Sequence, residues 1–319
     1  MQRREFLKHG IAATALGGIS QSFLFAGTNS IGNSAVTSLS IQLSDDLAMI
    51  CYGDRILTDY SASILRKSPC FASIAGPVTG RSLISAVPQP WRQTSGVSFA
   101  CDRVICGDAN IDVHFGYGPR QLGQIVSQEL MPGTCTATTA EFFNYCEWQR
   151  PDHRPIISDV RRFRLSLISE TAYMLDCEYT LMPLTNLTVR PSGQSFFSLR
   201  AADDLAVSGG GHILNSLNTK RQQIMRDSSA GQAGWYSFFG KRGVPVEGIA
   251  VLSPFDAVSD SRWLTRDYGL LVPNSLHFRD SAWQLRKGET YQFAHRIVAY
   301  SGQPDRGMLN RLCDEFAKS

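Results

Sequence analysis

Past residue 42 the chain reads mainly as strands. In Arg162-Phe163-Arg164-Leu165-Ser166-Leu167 polar and apolar residues alternate, the period of a half-buried strand. Cys177, Tyr179 and Leu181 alternate with Glu178, Thr180 and Met182, and Pro183 then demotes its position to an edge or bulge. Further strands are expected at Ser195 to Leu199, Gly248 to Leu252, Leu270 to Val272 and Thr290 to Tyr300. In the last, Tyr291, Phe293, His295, Ile297 and Ala299 share one face, which makes His295 a core histidine. Turn signals separate these runs at Pro191 to Gly193, Ser208 to Gly211, Gly240 to Gly243 and Arg286 to Gly288. Many short strands at such spacing predict an all-β fold, a large antiparallel β-sandwich.

Two stretches have helical spacing. Leu122, Ile125, Val126 and Leu130 recur at helix-like intervals between Gly118 and Met131. At the C-terminus, Asp305 is an N-cap candidate, and Met308, Leu309, Leu312, Cys313 and Phe316 form one apolar stripe. That predicts a terminal helix packed on the sandwich.

The N-terminus carries the sharpest motif. Arg3-Arg4 precede Phe6-Leu7 and Lys8, and Ile11 to Ala26 is mostly apolar. This is a twin-arginine pattern with a charged and then an apolar region. It predicts a signal peptide over 1–26, engagement of the twin-arginine translocase, and a periplasmic or otherwise exported protein. Residues 27–42 are rich in Ser, Thr, Asn and Gly and read as a linker. The single sandwich domain is then 43–319.

Charge excludes one class of partner. Lys and Arg number 31 against 28 Asp and Glu, a net +3, of which the leader supplies +2. The remainder is too nearly neutral for nucleic-acid binding by overall charge. Past the leader no apolar run is long enough for a membrane-spanning helix. The eight cysteines permit disulfides but include no paired CxxC, so neither zinc nor another metal or cofactor is expected.

Walker, GxGxxG, HExxH and GxSxG motifs are absent. Candidate chemistry lies in mixed clusters. Trp91, Asp102 and Arg103 form one. Glu147, Trp148, Arg150, Arg154, Arg161, Arg162 and Arg164 form a second, in which Arg forks could bind carboxylates and Trp148 could stack on a sugar ring. An Arg face solvated beside Asp159 and Glu178 explains that group equally. Trp263, Arg266, Asp267 and Tyr268 form a third; on a strand, Arg266 and Asp267 would point to opposite faces. Asp102, Glu147, Glu178 and Asp267 are the carboxylates that could act in pairs.

Several of these motifs together resemble a bacterial family of exported proteins known as PmoA-like. The resemblance runs through Phe99-Ala100-Cys101-Asp102-Arg103-Val104, Trp148 to Pro155, Thr180 to Leu184, Ser208 to Gly211 with Asn215, Trp235 to Gly240, Glu247 to Ala250, Trp263 to Gly269, and Leu285 to Tyr300. It implies a β-sandwich similar to the galactose-mutarotase-like supersandwich, and association with polysaccharides, and it leaves the helix-like stretch from Gly118 to Met131 as loop and strand. It does not imply methane oxidation, since the chain lacks the membrane spans and histidine-rich copper site of that enzyme. Gln93-Thr94 stand where relatives carry a His-His pair, and Ser253-Pro254 where they carry His-Pro. What matches is Asp102, Arg103, Trp263, Arg266 and Tyr268.

The resulting expectation is a carbohydrate-active or carbohydrate-binding protein with a glycan ligand. As an enzyme it would be a glycoside hydrolase or polysaccharide lyase. Asp102 and Asp267 would be catalytic; Arg103, Trp148, Trp263, Arg266 and Tyr268 would bind substrate. The alternative is a non-catalytic structural or interaction protein that kept the sandwich.

Overall fold

The computed structural model describes residues 37–85, 96–107, 111–116, 120–192, 195–219, 233–253, 262–273 and 276–319. The expected leader, the linker up to residue 36 and the 90–95 loop lie outside them. Within the described residues the fold is all-β and antiparallel, with one α-helix near the C-terminus.

Two eight-stranded sheets form the layers. The first runs in the order β1 (Leu39–Leu43), β2 (Leu47–Tyr52), β3 (Arg55–Ser61), β4 (Cys70–Ile74), β5 (Val97–Cys101), β13 (Ser195–Arg200), β18 (Leu270–Val272), β17 (Leu264–Thr265). The second runs β14 (His212–Asn215), β15 (Trp235–Lys241), β16 (Val246–Leu252), β20 (Tyr291–Ser301), β11 (Ala172–Pro183), β10 (Pro155–Ser169), β9 (Thr139–Gln149), β8 (Gln124–Cys135). A third, small sheet orders β19 (Trp283–Leu285), β12 (Leu187–Val189), β6 (Val104–Cys106), β7 (Ile111–Val113).

Alternation sets the second sheet. Phe142, Phe163, Cys177 and His295 are cross-strand neighbours facing inward. Phe143, Arg162, Glu178 and Ala294 occupy the next row and face outward. Inward aromatics meet the first sheet: Tyr179 stacks on Phe99 at 3.8 Å, and Phe163 meets Phe71 edge-on at 4.9 Å. Such pairs add about 0.5–1.5 kcal/mol beyond their buried area.

The terminal helix α1 (Arg306–Phe316) covers part of the outer face of the second sheet. Leu309 and Leu312 pack with Trp235, Leu252, Val298 and Tyr300, and Asp305 caps it by accepting from the Met308 amide at 3.0 Å. No helix among the described residues is long and apolar enough to cross a membrane.

The stretch from Arg120 to Met131 is loop and strand, as the family resemblance implies: Arg120–Leu122 is a 3-10 turn and edge strand β8 starts at Gln124. The register of β8 shifts between Ser127 and Glu129, which inserts a residue between Val126 and Leu130 and breaks the period of two there. One expectation needs correcting, because the linker is shorter than expected. Residues 39–43 form β1, with Leu39 buried, so the polar-apolar alternation of Ser38 to Leu43 was a strand signal. Pro183, by contrast, fits its residue type. It ends β11 opposite Ile157, beyond the last residue paired with β20.

Candidate functional site

Two of the aromatic candidates belong to the core. Trp148 is wholly buried, with Phe115 at 4.8 Å, and its Nε1 donates to Asp159 Oδ2 at 2.9 Å. Trp263 is buried against Tyr236, and its Nε1 donates to the Ala233 carbonyl at 2.7 Å. Neither indole has an open face for a sugar. The reason is strand parity: Trp148 shares the inward face of β9 with Cys146 and Phe142.

The arginine-rich cluster divides between the two faces of β10. Arg161 points inward and is fully buried, bonded to Asp159. Arg162 points outward between Glu141 (2.6 Å) and Glu178 (3.2 Å). These are structural charge pairs. His295 lies in the core against Phe197, ring centroids 4.3 Å apart, as its alternation predicts.

The remaining candidates separate into two clusters. The first forms where the chain leaves the first sheet. Asp102 and Arg103 join β5 to β6, and Arg103 adopts φ 55 to make the turn. Pairing of Val104 with Val113 brings the residues before β6 beside those after β7. The Phe115 amide donates to the Cys101 carbonyl at 3.0 Å, and the Gly116 amide to Asp102 Oδ1 at 2.9 Å. His114 thus stands next to Asp102. Its Nδ1 lies 3.8 Å from Asp102 Oδ1 and its Nε2 3.5 Å from Asp112 Oδ1. Asp102 is buried, His114 half-buried and Asp112 exposed.

Lys67, from the segment between β3 and β4, completes this cluster. Burial pulls its ammonium down to about 8, against the opposing pull of the Asp102 carboxylate. Arg103 itself is exposed and reaches the Pro191 carbonyl at 3.4 Å. No group of three or more His, Cys, Asp or Glu side chains among the described residues is arranged to hold a metal ion.

The second cluster surrounds the end of β13. Residues 266–269 are the turn of the β17–β18 hairpin, closed by the Gly269 amide donating to the Arg266 carbonyl at 3.1 Å. Arg266 and Asp267 therefore lie in a turn rather than on a strand. Gly269 has φ 96, a conformation that disfavours side chains. The hairpin pairs Leu270 with Arg200 and sets Tyr268 against that guanidinium, whose Cζ is 5.3 Å from the ring centroid. Burial, the larger influence, raises the Tyr268 hydroxyl above its usual range against the pull of Arg266 and Arg200. Asp267 is exposed.

These clusters stand at opposite ends of one strand pair. Cys101 pairs with Ser195, while Arg200 lies five residues further along β13. At about 3.3 Å per residue the ends are roughly 17 Å apart. Glycosidase carboxylates work at about 5–9.5 Å. Asp102 and Asp267 are not such a pair.

A sequence profile described as a family of unknown function, DUF6807, matches residues 50–314. The chain belongs to the DUF6807 family. No curated protein sequence matches it. Among solved structures, a GH36 α-galactosidase, AgaA from Geobacillus stearothermophilus, is similar at a TM-score of 0.37 and 8% identity, over 83% of this chain and 40% of the galactosidase. The chain thus spans about 40% of that enzyme's length. A GalM/aldose epimerase homologue from C. elegans gives 0.35 and 8%, over 84% and 100% of the two chains. Galactose 1-epimerase from Lactobacillus acidophilus gives 0.36 and 8%, over 83% and 98%. Likeness at this level carries no argument about function.

Both clusters lie inside the DUF6807 match. Sequence reasoning named Asp102, Arg103, Arg266, Asp267 and Tyr268 but missed Lys67, His114, Asp112 and Arg200. His114 carries one legible signal, two residues from Asp112 across a short strand run. Arg200 carries none, since an arginine ending a strand normally reads as solvated.

Proposed function

We propose that this DUF6807 member is an exported carbohydrate-active protein that works by proton transfer at the Asp102–His114–Lys67 cluster. The observation that supports this most is His114 held between the Asp102 and Asp112 carboxylates beside a lysine of lowered pKa. Asp102 orients and charge-balances the imidazole, as carboxylates do for catalytic histidines. His114 exchanges the proton. Lys67 keeps most of its charge at neutral pH while being a much stronger acid than an exposed lysine.

This set suits a lyase-type reaction better than hydrolysis by Asp102 and Asp267, which stand about 17 Å apart, because the two nearby carboxylates, Asp102 and Asp112, both face the His114 imidazole. In elimination, one base removes a carbon-bound proton beside a carboxylate, and the freed electron pair expels the glycosidic oxygen, leaving a carbon–carbon double bond. His114 is the base that takes the carbon-bound proton, and Lys67 is the acid that gives a proton to the departing oxygen.

The test is turnover on acidic polysaccharides, read as unsaturated product by ultraviolet absorbance and as new reducing ends. Unsaturated product that is lost in His114→Gln and Asp102→Asn supports the reading. Product formed at undiminished rate by both variants overturns it. The export reading is tested by fusing residues 1–40 to a reporter. Arg3→Lys with Arg4→Lys holds the reporter in the cytoplasm if the twin-arginine route is used.

A further inference from the structure

Four arginines are buried among the described residues: Arg161, Arg200, Arg242 and Arg296. A guanidinium taken out of water must regain its hydrogen bonds from the protein. Three of them do. Arg161 bonds Asp159 through Nε at 2.8 Å and Nη2 at 2.7 Å, and also reaches the Pro69 and Phe99 carbonyls, both at 3.2 Å. Arg296 grips both oxygens of Asp176 and the Leu312 carbonyl. Arg242 bonds Asp204 at 2.6 Å and the Arg81 carbonyl at 3.1 Å through its two Nη atoms, while its Nε has no partner among the described residues.

Arg200 differs. Its side chain is 5% exposed, and among the described residues its one side-chain hydrogen bond is a 3.4 Å contact to Asp203, a side chain 63% exposed. Water screens a partner that open. Nε of Arg200, like that of Arg242, is buried with no hydrogen-bond partner among the described residues, but Arg200 lacks the two short Nη bonds that Arg242 makes. Among the described residues most of this fork's donor capacity is unspent. Beside it stand the Tyr268 ring and Arg266, which itself donates to the Thr265 carbonyl at 2.9 Å. Asp267 shares the turn but points to solvent. The local balance is two guanidiniums facing one weak and one exposed carboxylate.

We propose that the Arg200–Tyr268–Arg266 corner binds a carboxylate-bearing ligand, with the uronate group of an acidic saccharide as the chemistry it fits. A carboxylate accepts from a guanidinium fork through two parallel hydrogen bonds, which supplies the partner that Arg200 lacks. The Tyr268 ring holds the guanidinium plane by cation–π contact and keeps the fork in place. A neutral sugar would leave the charge unmatched. The carboxylate rests on the geometry at Arg200 and not on the acid–base reading of the Asp102 cluster, while its assignment to a sugar acid rests on the carbohydrate reading proposed above.

Isothermal titration of the purified protein tests it, with galacturonate and glucuronate, the neutral sugars galactose and glucose, and succinate as a carboxylate that is not a sugar. Uronates are expected to bind about tenfold or more tightly than the neutral sugars, the worth of one charge-assisted hydrogen bond. Succinate binding as tightly as the uronates would retain a carboxylate site but overturn its assignment to sugar acids. Arg200→Met and Arg200→Lys are both expected to lose the preference, since lysine keeps the charge but not the fork. Arg266→Gln, in a half-exposed turn, gives a second reading that does not depend on the buried position and is expected to weaken uronate binding in the same direction. A protein that binds no carboxylate, or binds it unchanged in the Arg200 and Arg266 variants, overturns the proposal. Turnover is not read, so failure of the acid–base reading leaves this outcome intact.

Discussion

Asp159 and Arg161 sit two residues apart on β10 and bond to each other inside the sandwich, with neither side chain reaching solvent. The same Asp159 oxygen receives the Trp148 indole, and the same guanidinium reaches across to two carbonyls of the opposite layer. The pair therefore fixes how the sheets face each other. Asp159→Ala strands a buried cation and is expected to cost about 3–5 kcal/mol in urea unfolding. Trp148→Phe is expected to lower stability without weakening ligand binding, because the indole has no open face. A specific loss of glycan affinity in a folded Trp148→Phe protein would restore it as a binding residue.

Backbone at the Arg200 corner depends on one glycine. Gly96 has φ 70, its carbonyl accepts from the Arg200 amide at 2.9 Å, and a Cβ there would collide with the Phe71 carbonyl oxygen. Gly96→Ala is expected to destabilise by more than about 1 kcal/mol. Unfolding curves measure this, and a neutral result would mean the β4–β5 junction can relax.

Lys67 makes a titration prediction. Reductive methylation with a carbon-13 label lets each lysine be followed by NMR. Lys67 is expected to titrate at about 8, apart from exposed lysines. Because the Asp102 carboxylate holds that value up, Asp102→Asn is expected to lower the midpoint further. A midpoint unmoved by Asp102→Asn would remove Lys67 from the acid–base cluster.

Alkaline pH is expected to weaken the fold. All eight cysteines are free thiols, and burial raises seven of them, Cys146 to about 12 and Cys313 to about 11. As pH passes 9 the unfolded chain releases these protons while the folded one retains them. The unfolded state then binds fewer protons, so stability is whole below about pH 9 and falls above it. Lys67 acts oppositely between about 8 and its unfolded value, but it is one group against seven. Urea unfolding in reductant between pH 7 and 10 checks the sign; stability rising over that span would contradict the buried thiols.

Much of the sandwich is readable from local sequence because β10, β11 and β20 are wet on one face and dry on the other, and parity records that difference residue by residue. The terminal helix is readable for the same reason at a period of 3.6. Parity also marks Trp148 and Arg161 as inward, since each shares the phase of a core neighbour, Cys146 or Phe163; residue type alone suggests sugar stacking and solvent. Edge strand β8 is hidden because its bulges reset the phase. The clusters were only partly legible. His114 joins Asp102 through the pairing of Val104 with Val113, and Lys67 arrives from a segment far away in sequence. Arg200 becomes distinctive only when the β17–β18 hairpin closes over it. Alternation is a local property and the chain carries it. Which charges are buried together, and which of them stay underpaired, depends on long-range register, and only the tertiary structure decides that.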